Sequence, residues 1–162
     1  MARSMHLGSR MNSDRPFSAT AVSTEAPPQQ GVLLVIDDDT GQLDNVRRSL
    51  IREGWVVLTA SDPVEGLQSY REHWQTISLV LLDYYMPGLR GDQVWSLLHD
   101  VNPAVRVLWM SASDDYIPPR MLNSGRSTFV QKPTTRQDLL RGIRTILDHP
   151  DEPGPAADGQ SA

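Results

Sequence analysis

Continuous apolar runs alternate along this chain with segments whose apolar residues recur every three or four positions. "VLLVI" at 32–36 is an unbroken apolar run of strand length. Residues 41–53 then carry Leu43, Val46, Leu50 and Ile51 at helical spacing, and Gly54 stands as a C-terminal stop. "WVVLTA" at 55–60 predicts a second strand. Asp62-Pro63 is an N-cap followed by proline at the first helical position, and Val64, Leu67, Tyr70 or Arg71, and Trp74 form the stripe of the helix that follows. "ISLVLL" (77–82), "VRVLWM" (105–110) and "STFVQ" (127–131) predict strands three to five. A short helix over 92–99 separates the third from the fourth, with Val94, Trp95, Leu97 and Leu98 as its apolar residues. Thr135 with Asp138 opens a last helix bearing Leu139, Leu140, Ile143, Ile146 and Leu147. The remaining interval, 114–123, should hold a helix but contains Pro118-Pro119, which fit only a first turn. Five strand–helix units with apolar strands imply a parallel sheet covered on both faces.

Composition sets the borders. Residues 1–30 and 150–162 are rich in Pro, Ser, Ala, Gln and Gly without apolar period, and both read as disordered tails. Between them, 31–149 is long enough for one core. Net charge is -5, which gives no electrostatic case for direct nucleic-acid binding. There is no cysteine, so thiolate metal sites and disulfides are excluded. No apolar stretch approaches a membrane span and no secretory signal is visible, so the expectation is a cytoplasmic protein without membrane attachment. The tryptophans (Trp55, Trp74, Trp95, Trp109) read as packing residues, and Arg136, Arg141 and Arg144 as a solvated face of the last helix.

The chemistry gathers where the strands stop. Strand one runs into Asp37-Asp38-Asp39, strand three into Asp83, strand four into Ser111-Ala112 and strand five into Lys132-Pro133. Ligands of parallel α/β sheets bind outside the carboxyl ends of the strands, so these groups should converge on one edge. A charge ending an apolar run costs several kcal/mol unless compensated. Carboxylates that close cannot all ionise cheaply, so a cation is implied, and an oxygen-only donor set suits Mg²⁺. With metal and Lys132 to neutralise phosphoryl oxygens and Ser111 to donate a hydrogen bond, Asp83 is placed to attack phosphorus.

The order Asp37-Asp38, Asp83-x-x-Met86-Pro87, Ser111-Ala112, Lys132-Pro133 resembles the receiver domain of two-component response regulators over about residues 31–149. That resemblance implies a flavodoxin-like, doubly wound five-stranded parallel sheet of order 2-1-3-4-5 with about five helices. It also implies phosphotransfer from a sensor histidine kinase or a histidine phosphotransfer protein onto Asp83. In this family Asp38 would hold Mg²⁺ directly and Asp37 largely through water, and the backbone carbonyl of Tyr85 would complete the metal site. Ser111 would be the switch hydroxyl, Phe129 the aromatic switch, and Pro133 would follow a cis peptide bond. No organic cofactor is implied, nor any enzymatic activity beyond the protein's own phosphorylation and slow dephosphorylation. No output domain follows residue 149, so a stand-alone receiver acting through an unidentified protein target is expected. Gly125-Arg126, Pro118-Pro119 and the bulky Tyr85 depart from the family's pattern.

Two other readings stand beside this one. "VIDDDTG" also resembles the opening motif of haloacid-dehalogenase-type phosphohydrolases, with Asp37 and Asp39 as the acidic pair, though Asp83 is then unexplained. A receiver-like scaffold that never carries phosphate is the second. Asp39 otherwise reads as a solvated helix-start residue.

Overall fold

In a computed structural model of the chain, residues 30–112, 117–122 and 125–149 are described. The elements are β1 (Val32–Ile36), α1 (Thr40–Ile51), β2 (Val56–Ala60), α2 (Pro63–His73), β3 (Ile77–Asp83), α3 (Gly91–Val101), β4 (Val107–Ser111), β5 (Ser127–Gln131) and α4 (Arg136–Leu147). All strand pairings are parallel, and the order is β2-β1-β3-β4-β5. This is the flavodoxin-like architecture expected from the sequence. Among the described residues it has one α-helix fewer than expected. Between β4 and β5 the described residues hold only a single 3₁₀ turn, Pro119–Met121, because neither proline can donate the backbone hydrogen bond a helix interior needs. The rest of the doubtful 114–123 interval lies largely outside the described residues.

Local chemistry explains the boundaries. Asp39 caps α1, its Oδ1 accepting from the backbone N–H of Gly41 at 2.9 Å and Gln42 at 3.0 Å. Asp62 caps α2 in the same way, with Pro63 in the first turn. Thr135 caps α4. Gly54 takes a φ of +89° after α1, a conformation that favours glycine.

Alternate residues of the central strands feed two cores. Leu33, Val35, Leu79, Leu81, Leu108 and Met110 pack against Leu43, Val46 and Leu50 of α1 and Leu139, Ile143 and Ile146 of α4. Leu34, Ile36, Val80, Leu82, Val107 and Trp109 pack against Leu67 and Tyr70 of α2 and Val94 and Leu98 of α3. Three residues placed on helix stripes by spacing lie outside these cores: Ile51 is 44 % exposed, Val64 67 % and Trp74 37 %. The buried face of α2 is instead Pro63, Gly66, Leu67 and Tyr70. Among the described residues no helix is long and apolar enough to cross a membrane.

Candidate functional site

β1 and β3 are neighbours in register, Ile36 opposite Leu82, so the next residues of each, Asp37 and Asp83, emerge side by side at the carboxyl edge. Both sit on core positions and both are buried, Asp37 completely. Lys132 follows β5, two strands away from β3, and its backbone N–H donates to the Ser111 carbonyl at 2.7 Å. Its side chain crosses that gap. Nζ lies 3.0 Å from Asp37 Oδ2 and 3.0 Å from Asp83 Oδ1. The peptide bond from Lys132 to Pro133 is cis, as the sequence suggested.

One ammonium between two buried carboxylates leaves a deficit of positive charge. Asp37 Oδ1 accepts from the Asp39 backbone N–H at 2.9 Å, but the buried Asp37 Oδ2 has no aligned hydrogen bond beyond its ion pair. Asp83 Oδ1 also accepts from the Tyr85 backbone N–H at 3.3 Å. Burial pushes the Asp83 carboxyl up to about 6, against the lowering effect of Lys132 and with a further rise from Asp37. Burial raises Asp37 as well, again opposed by Lys132. Burial pulls the Lys132 ammonium down, but its two carboxylate partners outweigh this and hold it above the usual lysine value. Asp38, exposed, closes the group: Asp37, Asp38 and Asp83 each offer a carboxylate oxygen within 4.8 Å of the others. Three convergent carboxylates, two of them buried and sharing a single ammonium, fit a small divalent cation.

The remaining sequence-picked residues fall around this centre. Ser111 is buried at the end of β4, one residue beyond Met110, which is Asp83's partner in register. Tyr85 presents its backbone to Asp83, while its side chain is 53 % exposed. Phe129, on the edge strand β5, is also 53 % exposed and belongs to neither core. Asp39 is turned to its capping role, and it is Asp83 that joins Asp37 on Lys132.

Sequence reading missed Arg90. Its guanidinium donates to the Tyr84 hydroxyl at 3.2 Å and lies 5.4 Å from the Tyr84 ring centroid and 5.5 Å from that of Tyr85. Tyr84 is buried edge-on to Trp109. Arg90 thereby fastens the segment that leaves Asp83. Gly91 brings α3 onto the same segment, its N–H donating to the Tyr84 carbonyl at 2.9 Å. A Cβ at Gly91 would sit 2.9 Å from both the Asp83 carbonyl oxygen and Tyr84 Cα. Nothing in the spacing of Asp83, Tyr84, Tyr85 and Arg90 signals this clamp, because it depends on the path of the loop.

Comparison with known proteins agrees with this geometry. Residues 33–144 match the family model described as response regulator receiver domain. The chain is 33 % identical over 124 residues to the response regulator MprA of Mycobacterium sp. (strain KMS), covering 74 % of this chain and 53 % of that protein. It is 32 % identical over 115 residues to the transcriptional regulatory protein AfsQ1 of Streptomyces coelicolor, covering 71 % of this chain and 50 % of the relative. The chain thus spans about half the length of these relatives. Among solved structures, a response regulator receiver domain protein from Clostridium thermocellum aligns with a TM-score of 0.65 at 29 % identity, covering 73 % of this chain and 94 % of that one. The CheX–CheY–BeF₃–Mg²⁺ complex of Borrelia burgdorferi aligns with a TM-score of 0.64 at 26 % identity, covering 72 % and 88 %.

Proposed function

The chain belongs to the response regulator receiver domain family, and from that premise we propose that it accepts a phosphoryl group on Asp83 from a phosphohistidine. The donor would be a sensor histidine kinase or a histidine phosphotransfer protein. The observation that carries this reading is the Lys132 ammonium held 3.0 Å from both Asp37 and Asp83, with Asp38 beside them.

An oxygen of the ionised Asp83 attacks phosphorus. The P–N bond to the donor imidazole breaks as the P–O bond forms, and the ring, already protonated on its other nitrogen, leaves as neutral imidazole. Lys132 stays charged throughout, and its ammonium is free to follow the phosphoryl oxygens as the charge on Asp83 is spread over them. Asp37, Asp38, Asp83 and the Tyr85 carbonyl are the groups that would hold Mg²⁺. When bound, the ion supplies neutralisation of the phosphoryl oxygens. Ser111, at the end of the adjacent strand, would donate a hydrogen bond to one of them, and Phe129 would respond on β5. A downstream protein target would read the change.

The test is a small phosphodonor such as acetyl phosphate with Mg²⁺, followed by intact mass. One acid-stable, base-labile phosphoryl group that disappears in Asp83→Asn supports the proposal. Asp38→Ala should stay folded and lose phosphorylation at low Mg²⁺. Steady turnover blocked by Asp39→Asn but not Asp83→Asn would favour the phosphohydrolase reading, and no labelling at all would leave a scaffold.

A further inference from the structure

Trp109 is the largest fully buried side chain among the described residues, and its burial leaves one polar group unpaired. The indole N–H meets no acceptor among those residues. A buried donor without a partner carries a free-energy cost that a leucine or phenylalanine at the same core position would not. The wider ring needs a reason beyond filling the core, and its neighbours supply one.

β4 is paired on both sides, Trp109 lying in register between Leu82 of β3 and Phe129 of β5, so its backbone is fixed by two hydrogen-bonded ladders. The indole stands edge-on to Tyr84, with ring centroids 5.9 Å apart and planes at 71°. Its six-membered ring reaches the start of α3: a Cβ at Gly91 would lie 3.0 Å from Trp109 Cζ3. Gly91 in turn donates its N–H to the Tyr84 carbonyl at 2.9 Å. Tyr84 and Gly91 therefore rest on one rigid surface and are joined to each other. Tyr84 is the residue between Asp83 and Tyr85, and the Tyr85 N–H donates to Asp83 Oδ1 at 3.3 Å. A phenylalanine at 109 would lack the second ring, and with it the atoms that reach Gly91.

We propose that Trp109 is a positioning residue for the phosphoryl-accepting site. Its indole, carried on β4, sets the height at which Tyr84 and Gly91 hold the β3–α3 connection. Through Tyr84 it sets the spacing of Asp83 and the Tyr85 carbonyl, the two groups of this connection that would hold Mg²⁺. Trp109 itself touches neither the ion nor the phosphoryl group. This role rests on the receiver reading of the site and adds to it a core residue outside the motifs.

Mg²⁺ titrations of the full chain, followed by the backbone amide resonances of residues 37–39 and 83–85, test this in the unaltered protein, Trp109→Phe and Leu108→Val. Trp109→Phe should weaken Mg²⁺ binding severalfold, short of the ~10–100-fold typical when a group bonded directly to a metal ligand is removed. Phosphorylation from acetyl phosphate should slow at limiting Mg²⁺ and recover at saturating Mg²⁺. Leu108→Val, one residue away on the same strand but in the opposite core, should lower the denaturation midpoint and leave Mg²⁺ affinity unchanged. If Trp109→Phe fails to fold, the unaltered protein decides. The indole N–H resonance of Trp109, the most deeply buried and so the most slowly exchanging of the four tryptophans, should move in step with the amides of 83–85 during the titration. Native Mg²⁺ affinity in folded Trp109→Phe, or an indole resonance indifferent to Mg²⁺, overturns the proposal. Failure of the receiver reading looks different: the unaltered protein would then take no phosphoryl group from acetyl phosphate at any Mg²⁺ concentration.

Discussion

Asp83 sits under two opposed demands: the proposed attack on phosphorus would use its ionised form, and its burial penalises that form. The balance has a consequence for stability. With the carboxyl raised from 3.8 to about 6 in the fold, the folded protein binds this proton more tightly than the unfolded chain does. The resulting stabilisation is fully present below pH 3.8 and is lost as pH rises through about 6. Asp37, also raised by burial, acts in the same direction. The difference in stability between the native protein and Asp83→Asn, measured by chemical denaturation with EDTA present, should therefore change between pH 4 and 7, with the asparagine variant gaining relative to the native protein as pH rises. At about 1.4 kcal/mol per pKa unit the swing is at most about 3 kcal/mol. Added Mg²⁺ should oppose it most strongly above pH 6, where the carboxylate is ionised. A difference curve flat across this window would mean that Lys132 compensates Asp83 completely. This much was legible in the sequence, since a carboxylate closing an apolar run demands a partner and Lys132 was the basic residue at a matching strand end. That one ammonium would serve both Asp37 and Asp83 was not legible, because it depends on the lysine crossing the gap from β5.

Among the elements, the β3–α3 connection carries the site and is held by residues outside its motif. Arg90 contacts Tyr84 and Tyr85, and Gly91 allows α3 to start against Asp83 and Tyr84. Gly91→Ala puts a methyl 2.9 Å from two backbone atoms, so the connection has to shift. The expected cost is about 1–3 kcal/mol, seen as a lower denaturation midpoint, together with slower phosphorylation from acetyl phosphate. Arg90→Ala keeps the backbone cap that Gln93 provides and removes only the clamp. It should leave stability within about 1 kcal/mol, the usual range for an exposed cation–π contact, while weakening Mg²⁺ binding severalfold in a fluorescence titration. Unchanged Mg²⁺ affinity in Arg90→Ala would show that the Tyr85 backbone holds its place without help. Strands and helices were readable to within about two residues, because apolar period and capping residues acted together, as at Asp62-Pro63 and Thr135. Reading failed where two signals competed. Val64 and Ile51 fit a helical stripe by spacing, but the faces buried on the sheet are those of Gly66, Leu67 and Tyr70 in α2 and Leu43, Val46 and Leu50 in α1, so both side chains lie outside.

For the molecule as a whole, the sheet order is what turns separate motifs into one site, and it was legible only through the family resemblance. Periodicity predicts five parallel strands but does not say that β1 lies between β2 and β3, which is what sets Asp37 beside Asp83. The same order places β4 beside β3 and β5 beyond it, the side along which the proposed signal would leave Asp83. Phe129 is exposed on β5 opposite Trp109, which is buried on β4. It lacks the hydroxyl that would tie a tyrosine to water, so in the proposed switch its ring would rotate inward once the end of β4 is drawn toward a phosphoryl group. A phosphoryl mimic can move this equilibrium only by its differential affinity for the two states: a tenfold preference, about 1.4 kcal/mol, would carry a one-in-ten inward state to about half. With beryllofluoride and Mg²⁺, backbone NMR should therefore show intermediate, dose-saturating shifts in residues 111–112, 117–122 and 127–133, in addition to those at 37–39 and 83–91. The Phe129 ring resonances should move in the same titration, and Ser111→Ala should remove the β4 and β5 shifts while leaving those around Asp83. Shifts confined to 37–39 and 83–91 would mean that Asp83 carries phosphate without transmitting it through β5, leaving onward transfer as the output.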